Sequence, residues 1–328
     1  MVEKQEALKY ASLNGLSPLC KHGTALFLFP WRNNFSAISL FLFTSVRACD
    51  IINTNNTRRF KMLFNLHTHT VFCDGSATAE ELVREAIEKG FTSLGFSGHA
   101  YASYGLSYCI KDEEAYIAEI KRLKKKYESD IEVYLGIEED AFEEADRSKY
   151  EYLIGSMHYV NVGGEYLPID LGESCVKRIL DAFSGDVGKA SLTYYSAYYD
   201  YVNKRHPDIV GHFDLITKYD ELGEPYFLGK REHDEIAARF ISKVAGDGHL
   251  LEINTGAISR GLRKTPYPAL NLLYEIKKAG GSVILNSDCH SLGNLDCNFI
   301  EAKDMMREVG FKEMVVLCKN KFTKVPII

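Results

Sequence analysis

From residue 62 onward the chain repeats one arrangement: a short apolar stretch, a polar residue at its C-terminal end, and then a helix-patterned segment. Apolar stretches fall at 62–67, 93–98, 131–136, 152–155, 209–210, 250–254 and 282–285, with a short terminal one at 314–317. Between them lie helical patterns at 78–89, 111–129, 193–204, 232–245, 267–279 and 298–309. The first opens on Thr78-x-x-Glu81, whose side chains can satisfy each other's backbone amides, and closes on Gly90. Strand-then-helix crossovers set strands side by side in one direction, so about seven such units predict an α/β fold on a parallel sheet.

The polar residues at the strand ends narrow the reading further. His67, His99, Glu138, His158, His212, Glu252 and Asp288 each lie at or just after the end of an apolar stretch. Where parallel strands close into a barrel, those ends converge on one face. Residues 220 positions apart then become neighbours.

His67-x-His69 puts two imidazoles on one side of an extended strand, because side chains alternate with period two. Asp288-x-His290 repeats that geometry at the last strand. Imidazole and carboxylate donors together suit Zn²⁺, Mn²⁺ or Fe²⁺. A lone histidine near a strand end is ordinarily a packed core residue. Six of the ten histidines in one place, beside acids, call for a metal centre. Asp74, Asp140, Asp214 and Glu252 fit either as ligands or as support in turns and caps. Cys73, Cys109 and Cys289 flank candidate ligands but read as small packing residues. His22 falls in the N-terminal stretch, and His206, His233 and His249 read as surface or capping residues.

Composition sets outer limits. With 46% hydrophobic and 26% charged residues the chain can bury a large core. A net charge of −6 argues against non-specific nucleic-acid binding, which needs clustered Lys and Arg. The eight cysteines are scattered without a C-x-x-C pair, which fits a reducing, cytoplasmic setting better than a disulfide framework. Residues 1–61 read differently from the rest. Their two apolar runs, near 24–29 and 35–46, are too short to span a bilayer, and no clear cleavage site follows them. The expectation is an N-terminal extension over 1–61, disordered or not native, with Met62 as the natural start and a catalytic domain over 62–328.

At this level of detail the chain resembles the polymerase-and-histidinol-phosphatase (PHP) superfamily of metallo-phosphoesterases. The matching motifs run in order from Leu66-His67-Thr68-His69-Thr70 through Ser97-Gly98-His99, Gly136-Ile137-Glu138 and Gly155-Ser156-Met157-His158 to Gly211-His212-Phe213-Asp214 and Ser287-Asp288-Cys289-His290. Phe72-Cys73-Asp74-Gly75 and Ile253-Asn254-Thr255-Gly256 look like the monofunctional histidinol-phosphatase branch. The resemblance implies a distorted seven-stranded (β/α) barrel with two or three divalent ions (Zn, Mn or Fe) at the C-terminal ends of the strands. His67, His69, Glu138 and Asp288 would hold one ion, and Glu138 would bridge to a second held by His158 and His212. His99, His290 and Asp74 would hold a third, with Asp74 standing where many relatives carry histidine.

The implied activity is hydrolysis of L-histidinol phosphate to L-histidinol and phosphate, in histidine biosynthesis. Asp288, His290 and Arg260 are the expected catalytic residues, with Arg260 and Arg263 gripping the phosphate. Asp170, Glu252 or the tyrosines of 194–201 could meet the ammonium and imidazole of the substrate, and the sequence does not rank them. The expected partner is a small phosphomonoester, with no nucleic acid and no membrane; nothing in the sequence speaks to oligomeric state. The nearest rival is a PHP phosphoesterase acting on a nucleotide or other small phosphomonoester. An amidohydrolase fits less well, for want of a lysine at a suitable strand end. A metal-binding scaffold without activity would have shed some of the ligands.

Overall fold

The computed structural model describes residues 63–328 and, before them, two short strands, β1 (Leu19–Lys21) and β2 (Thr24–Leu26), paired antiparallel. Apart from those two strands, the extension expected over 1–61 and the start expected at Met62 lie outside the described residues.

The main body begins with β3 (Leu63–Asn65), helix α1 (Ala79–Lys89), β4 (Phe91–Phe96), α2 (Glu113–Lys126), β5 (Glu132–Asp140) and β6 (Tyr152–Ser156). A hairpin, β7 (Tyr159–Val162) and β8 (Glu165–Pro168), precedes helices α3 (Glu173–Ala182) and α4 (Val187–Arg205). The chain continues through β9 (Ile209–Val210), α5 (Arg231–Gly246), β10 (Leu250–Asn254), the short α6 (Gly256–Ser259), α7 (Leu270–Lys278) and β11 (Ser282–Asn286). It ends with α8 (Phe299–Val309), β12 (Glu313–Cys318) and β13 (Lys321–Pro326).

These strands form one curled sheet in the order β13-β12-β11-β10-β9-β6-β5-β4-β3. Every pairing is parallel except β12 with β13. The sheet has nine strands, not the seven expected. Seven of them, β3 to β11 in this sheet, make up the curl, whose first and last strands approach each other. The chain then runs on through β12 and returns as β13. That last turn is formed by Lys319 and Asn320, both with left-handed backbone (φ 51° and 58°), without the glycine that usually announces it. The β7–β8 hairpin was also missed, although its Gly163-Gly164 turn, with φ of 62° and 96°, is legible in the sequence.

The curl brings the first strand against the seventh. Thr68 and Cys289 form a parallel bridge, with His69 N donating to the Cys289 carbonyl at 2.8 Å and Cys289 N to the His67 carbonyl at 3.1 Å. Inside the curl lie Leu66, Tyr134, Tyr152, Ile154, Ile209, Ile284 and Leu317. Tyr152 reaches across to donate to the Leu66 carbonyl at 2.5 Å. Its ring lies so close to Gly95 and Gly136 that a Cβ at either would collide with it.

The helices cover the outer face of the sheet. The Thr78–Glu81 capping box and the left-handed Gly90 bound α1 as the sequence predicts, and Ala79, Leu82, Val83 and Ala86 form its buried stripe. In α4 the tyrosines other than the half-buried Tyr199 are core rather than substrate contacts. Tyr194, Tyr195 and Tyr198 have no exposed surface, and Tyr198 donates to the carbonyls of Gly155 and Gly211 at 2.8 and 2.6 Å. That hydroxyl ties together the ends of β6 and β9, which carry two of the candidate ligands. Among the described residues no helix is long and apolar enough to cross a membrane. Cys73, Cys109, Cys175, Cys289 and Cys297 are free thiols.

Candidate metal centre

Each candidate ligand follows a strand or ends one: His67 and His69 after β3, His99 after β4, Glu138 in β5, His158 after β6, His212 after β9, Asp288 and His290 after β11. The curl gathers them into one cluster. The ring centroids of His67 and His212 are 5.8 Å apart, those of His158 and His212 5.0 Å, and those of His69 and His290 4.1 Å.

One set is made by His67, His69, Glu138 and Asp288. His67 Nε2 lies 3.3 Å from Glu138 Oε2 and 3.6 Å from Asp288 Oδ1. His69 Nε2 lies 3.5 and 3.3 Å from the same two oxygens. Two donors on a tetrahedral ion with bonds of ~2.1 Å sit ~3.4 Å apart. These separations match that edge and suit shared coordination better than hydrogen bonds. Accordingly His67 Nε2, His69 Nε2 and Glu138 Oε2 are buried without a hydrogen-bond partner. Buried polar atoms are rarely left so, and an ion would satisfy all three.

Glu138 also faces the other way. Its Oε1 lies 2.9 Å from His212 Nε2 and 3.5 Å from His158 Nε2, while its Oε2 is 2.9 Å from His99 Nδ1 in an orientation that makes no hydrogen bond. A third group gathers on Asp74, whose oxygens lie 3.6 Å from His99 Nε2, 3.3 Å from His290 Nε2 and 3.6 Å from His69 Nδ1. Four overlapping groups, namely His69/Asp74/His99/His290, His67/His69/Glu138, His67/His212/Asp288 and His99/Glu138/His158, each bring donor atoms close enough to share an ion. Asp74 is the most exposed member, with a third of its side chain open.

The electrostatics follow from burying this much charge. Desolvation alone would raise the Glu138 carboxyl, yet His67, His99 and His158 hold it well below its usual range. Desolvation is likewise outweighed at Asp288, where Arg260, His67 and His290 keep the carboxylate ionised. Nearby carboxylates overcome the burial that would lower His67 and His99, so each of these two rings calls for a positive charge beside it, which a proton supplies in the ion-free protein and a metal ion on the ring nitrogen would supply in its place. Burial pushes His69 down to about 3, helped by His290 and His99, which leaves a neutral imidazole with a lone pair.

The two arginines part company. Arg260 Nη2 donates to Asp288 Oδ2 at 3.0 Å, and Nη1 lies 2.8 Å from His290 Nδ1, with 27% of the side chain exposed. Arg263, expected beside it on the phosphate, is instead 3% exposed. Its fork is taken by the Thr217 hydroxyl and carbonyl, the Thr265 carbonyl and Glu221, and its guanidinium stacks 4.4 Å from the Tyr267 ring. It braces one loop against another.

The support residues are distinguishable too. Glu252 has no exposed surface and accepts from His67 Nδ1 at 2.7 Å. Asp140 Oδ2 accepts from His158 N at 2.8 Å and lies 3.1 Å from His158 Nδ1. Asp214 Oδ2 accepts from Ala269 N at 3.0 Å, away from the cluster. Asp288 itself has a left-handed backbone, φ 46°, and a Cβ on Gly256 would come within 2.7 Å of its Oδ2. Asp170 and Lys218 form an ion pair at 3.1 Å, the lysine nearly buried, and Asp170 acts electrostatically on His158 and His99. The sequence named Asp170 without ranking it and did not single out Lys218.

The PHP-domain family model matches residues 65–256, more than half of the chain. The chain belongs to the PHP-domain family. Its PHP relatives include a protein of Schizosaccharomyces pombe named "Probable histidinol-phosphatase", 27% identical over 282 residues, covering 79% of this chain and 90% of the relative. The histidinol-phosphatase of Bacillus subtilis is 27% identical over 258 residues, covering 70% and 94%. Among solved structures, the PHP fold is matched by the histidinol phosphate phosphatase of Lactococcus lactis, determined with Zn, L-histidinol and phosphate. The TM-score is 0.63 at 21% identity, covering 80% of this chain and 99% of that one.

Proposed function

We propose that this PHP protein is a metal-dependent phosphomonoesterase that hydrolyses L-histidinol phosphate to L-histidinol and phosphate. The observation that carries the reading is the set His67, His69, Glu138 and Asp288, with donor atoms 3.3–3.6 Å apart and three of them otherwise unpartnered. The names of the fungal and bacterial relatives supply the substrate. In this reading residues 62–328 are the catalytic domain, curled as a PHP-type barrel and working in the cytoplasm.

His67, His69, Glu138 and Asp288 would hold one divalent ion, Glu138, His158 and His212 a second, and His99 with Asp74 and His290 a third. Such ions lower the pKa of water from ~15.7 toward ~7 and neutralise charge on phosphoryl oxygens. The protein's own groups do the rest. Arg260, fixed by Asp288 and His290, presents the open part of its guanidinium to the phosphoryl oxygens as a planar fork. Asp288 holds Arg260 as well as an ion, so charge is balanced before substrate enters. His290, at the open edge with 21% of its side chain exposed, has Nδ1 held by Arg260, so its Nε2 would serve either as a ligand of the third ion or, without that ion, as the donor of a proton to the leaving alkoxide.

Of the three candidates for the cationic part of the substrate, Asp170 is the one we retain. Glu252 is saturated, Tyr194, Tyr195, Tyr198 and Tyr201 are buried, and the half-buried Tyr199 donates to Asp247. Asp170 has 22% of its side chain exposed, next to Ile169, whose N–H pairs with the His158 carbonyl at 2.9 Å. The deciding experiment is phosphate release from histidinol phosphate, nucleoside monophosphates and p-nitrophenyl phosphate with Zn²⁺ or Mn²⁺ present. Histidinol phosphate should be turned over with the highest kcat/KM. Equal or faster turnover of nucleotides would make this a PHP phosphoesterase of another specificity.

A further inference from the structure

Glu252 sits on β10 with no exposed surface, and four N–H donors converge on its two oxygens. Oε1 accepts from His67 Nδ1 at 2.7 Å and Asn286 Nδ2 at 2.9 Å. Oε2 accepts from the backbone N of His212 and from Asn254 Nδ2, both at 2.9 Å. An ionised carboxylate offers about four lone-pair sites and no proton, so this one is full. It has nothing left for an ion, which excludes it as a ligand. It also requires His67 Nδ1 to carry the proton.

The other nitrogen of His67 faces a different environment. Nε2 points between Glu138 Oε2 and Asp288 Oδ1, at 3.3 and 3.6 Å. In the neutral ring whose Nδ1 is protonated, Nε2 is a bare lone pair facing two carboxylates that also have only lone pairs. A cation reconciles the three. We propose that Glu252 is a positioning residue that fixes the Nδ1–H form of His67 and the backbone of His212. It thereby sets one ligand from the first strand and one from β9 in place before an ion arrives. The inference rests on the metal reading above but not on the identity of the substrate.

Asp140 repeats the device on the opposite side. Its Oδ2 lies 3.1 Å from His158 Nδ1 and accepts from His158 N at 2.8 Å, while Tyr104 donates to Oδ1 at 2.6 Å. His158 Nε2 is thereby left facing Glu138 Oε1. Two carboxylates outside the ligand set therefore prime two imidazoles on either side of Glu138. Such partners of metal-bound histidines are typically worth on the order of 10–100-fold in metal affinity.

The test is a Co²⁺ titration of the full-length, metal-stripped protein, followed by visible absorption, with thermal unfolding measured in parallel. In Glu252→Gln the amide must aim a donor at two of the four converging N–H groups, and His67 is released to exchange its proton between nitrogens. Co²⁺ affinity should fall on the order of 10–100-fold, with altered visible bands. Glu252→Asp keeps the charge but withdraws it by one methylene, and should fall between wild type and Glu252→Gln. It decides the matter if Glu252→Gln does not fold. Wild-type affinity and bands in the variants, with only a lower Tm, would reduce Glu252 to a purely structural residue and overturn the proposal. A wild-type protein that takes up no Co²⁺ would overturn the metal reading itself. Failure to hydrolyse histidinol phosphate, with Co²⁺ binding intact, would touch only the substrate assignment.

Discussion

Arg260 Nη2 lies 3.0 Å from Asp288 Oδ2, so an arginine open to the site is held by a carboxylate that is itself a candidate metal ligand. The phosphate grip and the metal cluster are thus built on the same side chain. Arg260→Ala should lower kcat/KM for histidinol phosphate on the order of 10²–10³-fold, the usual cost of losing a preorganised donor. Arg260→Lys should recover little, because an ammonium cannot hold Asp288 and a phosphoryl oxygen in one plane. Steady-state kinetics of both variants check this, and full activity in Arg260→Lys would contradict it.

Asp288→Asn removes the charge but keeps the shape. Hydrolysis should be abolished and Tm should fall, because the variant gives up a ligand of a stabilising ion and leaves Arg260 without its carboxylate. Chelation of the wild type should likewise abolish activity. It should also lower Tm, because ions that bind only the folded chain stabilise it by mass action. Restored activity and Tm on adding Zn²⁺ or Mn²⁺ complete the test; an active chelated enzyme would refute it.

Asp170→Asn separates recognition from chemistry. The variant should lose roughly 10–100-fold in kcat/KM for histidinol phosphate, as expected for a hydrogen bond to a charged group. Its turnover of p-nitrophenyl phosphate, which has no cation, should change far less. Removing the charge also leaves Lys218 buried and unpaired, so a lower Tm is expected alongside. Parallel losses on both substrates would mean that Asp170 does not read the leaving group.

Gly256→Ala tests how tightly the Asp288 carboxylate is packed. The new Cβ would stand 2.7 Å from Oδ2, so the carboxylate must move from its place between His67 and Arg260. Overpacking of this kind costs about 1–3 kcal/mol. Activity and metal content should drop by more than the change in Tm suggests. Unchanged metal content would show that the neighbourhood yields without cost.

His233 lies far along the chain from any ligand, on α5, and is 1% exposed beside Ser191 and the rings of Tyr195 and Phe227. Burial lowers its pKa to about 4, against ~6.5 in an unfolded chain. The unfolded state therefore binds the proton first. The stabilising contribution is whole above pH ~6.5 and is lost as pH falls toward 4, in total about 3 kcal/mol. Urea unfolding at pH 7 and pH 4.5 should show wild type losing about 2 kcal/mol more than His233→Gln, with the metal-site histidines common to both. Equal losses would refute the assignment.

His233 also marks where the sequence misleads. It lies on a charged helix between Glu232 and Asp234, and nothing local distinguishes it from a surface histidine. Only the packing of α4 against α5 buries it. Arg263 is a similar case, since its partner Thr217 is 46 residues away and carries no sequence signal. The residues around Glu138 were legible because strand ends repeat and a barrel-like curl leaves them one place to meet. Asp140 and Glu252 could be named as acids near that place, but ligand and support differ only in which donors surround them. That depends on three-dimensional neighbours such as Asn286 and Asn254. The strand count erred for a local reason: Lys319-Asn320 turns a hairpin in left-handed geometry that its residue types do not advertise.

The bridge between Thr68 and Cys289 has a temporal consequence. It joins positions more than two hundred residues apart and lies inside both the H-x-H and the D-x-H pair. A chain emerging from the ribosome has made His67 and His69 long before Asp288 and His290 exist. The ion cage can close only when β11, the seventh of the sheet's eight parallel strands, has been synthesised and docked. Until then a nascent polypeptide carries loose imidazoles and cannot hold its full complement of metal, so hydrolytic competence waits for β11 and the two ligands that follow it.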